Sequence, residues 1–143
     1  SLKVPKAPVS LLGKTIAIFK GKPDTEAILT IVYDHRRKSH RLVWVDQTTS
    51  RSRVHYDSIT EDEGLTVYAE IHSHNSMEAF FSPIDDGSEA RSTGLYGVIG
   101  RVDLDRPHAL FRYSCGHHFR RIPAMSLFDD PKRVNELLVE AVQ

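Results

Sequence analysis

Between residues 8 and 20, apolar positions recur at steps of three and four: Val9, Leu12, Ile16 and Phe19 form a stripe that Leu11 and Ile18 widen. This spacing predicts an amphipathic helix, weakened modestly by Gly13 and stopped by Gly21-Lys22-Pro23-Asp24. From Glu26 the texture changes. Residues 27–33 are rich in β-branched side chains, 34–39 form a charged turn, and 40–46 read as a second strand that pairs with the first as a hairpin. Residues 52–57 predict a short strand, 60–64 a polar loop, and 65–72 a strand with a continuous apolar stem. Ser82-Pro83-Ile84-Asp85-Asp86 has the form of a helix start: a Ser cap, Pro at the first helical position and acids in the first turn. That helix is expected to run to about Arg91. Residues 95–103 and 109–114 predict two more strands around the turn Asp105-Arg106-Pro107, and 131–142 a final helix with Val134, Leu137, Leu138 and Val142 on one face. This order implies a mixed α/β architecture around one sheet.

With 143 residues, one domain spanning 1–143 is expected, its core at about 4–128. A chain of this size buries enough surface to fold without disulfides or structural metals. Hydrophobic residues make up 40% and charged residues 27%, which excludes a disordered chain. Lys+Arg and Asp+Glu both number 19, for a net charge of +0, so nothing in the charge calls for nucleic acid or an anionic membrane as partner. No apolar run approaches the roughly 20 residues needed to cross a bilayer. The single cysteine, Cys115, cannot form an intrachain disulfide and fits a reducing, cytoplasmic setting.

The chemistry concentrates between Glu70 and Asp85. His72 and His74 stand two apart at the end of a predicted strand, so both side chains project from one face and can grip one ion. Asp85 follows on the first turn of a predicted helix, within reach of the same strand end. Two imidazoles and a carboxylate make three ligands, which for zinc leaves a fourth position open, the arrangement of a catalytic site. Each piece alone has a plainer reading: a His-x-His pair arises by chance in a chain with 8 histidines, and Ser82-x-x-Asp85 is also a capping box.

As a set, His72-Ser73-His74, seven residues, Ser82, two residues and Asp85 resemble the signature of the JAMM (MPN-plus, JAB-domain) zinc metalloproteases, in the form of a small prokaryotic or phage-type member. The resemblance covers roughly residues 4–128. It implies a mixed, largely antiparallel curved sheet flanked by helices, with a cytidine-deaminase-like architecture. It further implies zinc held by His72, His74 and Asp85, a Ser82 that supports the tetrahedral intermediate, and an upstream glutamate that shuttles the proton. Glu26 has the expected context for that role, after the first helix, at the head of a strand and 46 residues before His72. Glu70, two residues before His72 and on the same strand face, competes for the acid role or orients the histidine instead. Two positions depart from the family's usual pattern: Asn75 stands where proline commonly follows the second histidine, and the glycines common after the glutamate are absent. The implied reaction is hydrolysis of a peptide or isopeptide bond in a protein substrate, with ubiquitin-like or sulfur-carrier proteins as the substrate class by family resemblance.

The rival readings are a non-catalytic MPN-type interaction scaffold and a structural metal site. A cupin is excluded because Thr66 and Asp85 occupy the positions where its motif needs glycine. Cys115 before Gly116-His117-His118 reads as a buried or turn-edge thiol, Arg36-Arg37-Lys38 as a solvated turn, Phe80 and Phe81 as contacts of the loop with the core, with the lining of a substrate groove as the alternative for one of them, and Trp44 as core.

Overall fold

A computed structural model describes residues 4–45, 64–81, 94–116 and 118–141. The first periodic stretch forms α1 (Val9–Gly21), burying Leu11, Leu12, Thr15, Ile16 and Phe19. No side chain of its own segment caps it; the carboxylate of Asp129 accepts from Val9 N at 2.9 Å, so a residue 120 positions away satisfies one of the open donors. The β-branched run becomes β1 (Ile28–Asp34), turns back into β2 (Ser39–Val45), and the strand with the apolar stem becomes β3 (Leu65–Ser73). In the β1–β2 turn the Asp34 carboxylate accepts from Arg36 N and Arg37 N. These bonds, with the Arg37 guanidinium beside it, hold the Asp34 carboxyl below its ordinary range. Residues 36–38 are a solvated turn, as their charge implies.

The remaining strands are β4 (Gly94–Gly100), β5 (His108–Cys115), β6 (His118–Arg121) and β7 (Val139–Glu140), with α2 (Pro131–Leu137) before the last. They complete a mixed seven-stranded sheet in the order β2-β1-β3-β4-β5-β6, with β7 also on β5. The pairs β3–β4 and β5–β7 are parallel and the others antiparallel. The fold is α+β, as the order of elements implies.

Alternation along the strands divides the sheet into two unlike faces. Leu29, Ile31, Ala69, Ile71, Leu95, Ile99 and Phe111 pack with α1 and with Phe128, Val134 and Leu138 in the larger core. Complete burial of such a side chain contributes ~1.5–3 kcal/mol. The opposite face has a smaller apolar cluster of Tyr96, Val98 and Leu110 with Ala79, Phe81 and Ala141. Among the described residues no helix is long and apolar enough to cross a membrane.

Four expectations need correction. The strand expected over 95–103 ends at Gly100, because Arg101 takes φ 52° and turns the chain. The helix expected to reach residue 142 stops at Leu137, because Leu138 is extended and the chain then joins the sheet, with Val139 N donating to Pro107 O and Ala141 N to Ala109 O. Trp44 is 47% exposed rather than core, and the Lys22 ammonium stands 5.1 Å from its ring centroid. Phe80 is exposed, whereas Phe81 does join the smaller core. The strand expected over 52–57 and the helix expected from Ser82 lie outside the described residues, while Cys115 is an exposed thiol at the turn edge.

Gly97 lies opposite Phe111, and a Cβ there would meet the ring at 2.4 Å. Phe111 is fully buried and edge-on to Phe128, with centroids 6.2 Å apart. Gly97→Ala is therefore expected to cost ~1–3 kcal/mol, read as a lower urea midpoint at unchanged m-value. Phe111→Leu in the same chain should recover part of that loss.

Candidate metal centre

The strand pairing determines what meets at the C-terminal end of β3. Ile28 lies opposite His72, Leu29 opposite Ile71, and Thr30 opposite Glu70. The ladder continues one step further through Ser73 N donating to Ala27 O at 2.8 Å. Glu26 directly precedes Ala27 and so stands next to this end of the sheet. The Glu26 side chain is exposed, at the end of the short segment joining α1 to β1. Residues 46 positions apart thus share one sheet end.

His72 is partly buried beside Glu70, whose Oε1 lies 2.9 Å from His72 Nε2. A carboxylate only accepts, so this nitrogen donates and the ring's lone pair, as it stands, is on Nδ1. His74 Nδ1 donates to Glu78 O at 3.3 Å, which places its lone pair on Nε2. Phe80 stands edge-on to His74, with centroids 4.7 Å apart at 76°. Both imidazoles are thus set in tautomer and orientation by acceptors, as metal-ligating histidines are. By its chemistry the pair suits zinc, which imidazole nitrogens commonly hold. Among the described residues no group of three His, Cys, Asp or Glu side chains completes such a site; Asp85 and Ser82 lie outside them.

The surrounding face is polar at depth. Glu70 is 8% exposed, and Thr30, opposite it, is fully buried with an Oγ1 that meets no hydrogen-bond partner among the described residues. A buried hydroxyl in that state costs ~1–3 kcal/mol. The α1 side of the same strands carries Leu29 and Ile71 instead, with Ser73 the polar exception at the end of β3.

The loop after His74 is fastened to the end of β4. His74 N donates to Ile99 O, Arg101 N to Met77 O and Val102 N to Asn75 O, at 2.8, 2.7 and 2.9 Å. The Glu78 carboxylate accepts from His108 Nδ1 at 2.9 Å and forms an ion pair with Arg101 at 3.5 Å. Gly100 permits this approach: a Cβ there would sit 2.2 Å from Met77 O and 2.6 Å from Ala79 N. The bracing groups Arg101 and His108 have no signal in the sequence, because their role rests on contacts between distant segments.

The sequence family described as prokaryotic homologues of the JAB domain matches residues 15–115. Among solved structures, the solution structure of protein DSY2949 from Desulfitobacterium hafniense is similar, with a TM-score of 0.60 and 14% identity over 81% of this chain and 88% of that one. At that identity the likeness is one of fold. A comparison with curated proteins gives no match.

Because backbone rather than a mobile side chain faces Gly100, Gly100→Ala is expected to displace the 74–79 loop. Amide hydrogen exchange at His74 and Arg101 should accelerate about tenfold or more, corresponding to ~1–3 kcal/mol of lost local stability. Wild-type exchange at both amides would show that the loop accommodates the methyl group.

Proposed function

Since the chain belongs to the prokaryotic homologues of the JAB domain, we propose that it is a zinc-dependent peptidase or isopeptidase. The observation that carries this reading is the β1–β3 register, with Ile28 opposite His72 and Ala27 bonded to Ser73, which brings an exposed acid to the end of the sheet that bears the histidine pair. His72, His74 and Asp85 are the residues that hold the ion. Zinc, when bound, supplies Lewis acidity that polarises the scissile carbonyl and makes hydroxide available near neutral pH.

The chain's own residues do the rest. Glu26 accepts a proton from the attacking water and delivers it to the leaving amine, as general base and then general acid. The Ser82 hydroxyl donates to the developing oxyanion. Glu70 holds His72 through the 2.9 Å bond to Nε2. Met77 and Phe80, exposed beside His74, offer apolar contact to an extended peptide. The substrate class is the C-terminal tail or isopeptide of a ubiquitin-like or sulfur-carrier protein, and the unpaired Cys115 thiol suits a reducing cytoplasm.

The test is turnover of ubiquitin-like fusions and branched peptides. Activity should vanish with a chelator and return with zinc. Glu26→Gln cannot accept the proton and should lower kcat by about 10²–10⁴, whereas Glu70→Gln should cost less than about tenfold. Ser82→Ala should cost on the order of 10²–10³. Turnover indifferent to chelator and to Glu26→Gln overturns the proposal, and a chain that binds such proteins without cleaving them is a scaffold.

A further inference from the structure

We infer that Asn75 is a positioning residue for Glu26, an inference that rests on the hydrolase reading above. Asn75 has φ 54°, in the left-handed region that asparagine tolerates better than most residues. Its amide lies against the carbonyls of Pro23 and Thr25. An oxygen in that position would face two carbonyls that only accept, with the Ser73 hydroxyl at 3.3 Å as its one donor; the amide nitrogen therefore occupies it and donates to Pro23 O at 3.2 Å and Thr25 O at 2.9 Å. Thr25 immediately precedes Glu26. The backbone of Asn75 is fixed in turn, its N donating to Ser73 Oγ at 3.1 Å and its O accepting from Val102 N at 2.9 Å.

One side chain therefore fastens the segment before Glu26 to the turn that follows His74. The same segment is anchored at its start by Lys22 N to Phe19 O and Thr25 N to Lys22 O, and at its end by Ala27 O accepting from Ser73 N. An exposed carboxylate on so short a connection takes its position from the backbone beneath it. Displacement by about 1 Å of a group that transfers a proton costs on the order of 10² in rate. The Asn75 amide reaches the backbone on the Glu26 side, so its effect falls on the acid and leaves the ion's ligands in place.

Asn75→Gly tests this with the full chain, because glycine adopts φ 54° without strain and the variant removes only the amide. Amide exchange at Thr25 should accelerate about tenfold or more, while Val98 in β4 stays strongly protected and the thermal midpoint falls by only a few degrees. The kcat should fall about tenfold to a hundredfold, with KM and zinc Kd unchanged. Unchanged exchange at Thr25 overturns the tether. Faster exchange with wild-type kcat, in a chain whose wild type is active and Glu26-dependent, overturns the positioning role while leaving the hydrolase reading intact. An inactive wild type removes the hydrolase reading and this role with it, and so is a different result from either.

Discussion

The register between β1 and β3 is the constraint on which the rest of the molecule depends. Ile28 opposite His72 and Thr30 opposite Glu70 put Leu29 and Ile71 together on the α1 side, where both enter the larger core. Because side chains alternate along a strand, a slip of one residue would exchange the faces. Slipped by one, β3 would turn His72 and Glu70 toward α1 and Ile71 toward the polar side, while Leu29 on β1 stayed in the core. The apolar core and the polar site are consequences of one pairing, and the stability of the first enforces the geometry of the second.

The two faces are not equally optimised. The α1 side is filled with aliphatic and aromatic groups, among them Phe19, Phe111 and Phe128 at no more than 1% exposure. The opposite side buries Thr30 and Glu70 near His72, with one hydroxyl unpartnered among the described residues. On that face buried polar groups stand in place of apolar packing, the pattern expected where a site is maintained at the expense of stability. Glycine serves the arrangement twice, at Gly97 for the Phe111 ring and at Gly100 for the loop carrying His74.

Much of this was legible in the sequence, for identifiable reasons. The stripe of Leu12, Ile16 and Phe19 has helical spacing, the runs that became β1 and β3 are β-branched and apolar, and the residues of α1 begin one position from where the pattern placed them. The His-x-His spacing marked the end of β3, where His72 is the penultimate residue and His74 follows the last. What escaped depends on distant partners. The strand β6 is four exposed residues, with no alternation against a core to reveal it. The end of α2 is decided by Pro107 and Ala109 accepting from residues 139 and 141, a competition that the apolar positions Leu137 and Leu138 do not announce. Trp44 is a strand residue by propensity, yet it lies on β2 at the open edge of the sheet, where a strand residue need not be covered. The tether from Asn75 to the segment before Glu26 spans some fifty residues and has no local signature.

The central claim is that the β3 end and the head of β1 form one zinc centre with Glu26 beside it. Diffraction from crystals of the full chain grown with zinc, recorded on both sides of the zinc absorption edge, tests it most directly. The account predicts one anomalous peak per chain at ~2.0–2.2 Å from His72, His74 and Asp85, with the Glu26 carboxylate on the same side of the sheet and within one water of the ion. A zinc ion bound elsewhere, no ion at all at saturating zinc, or Glu26 turned to the α1 face would contradict it.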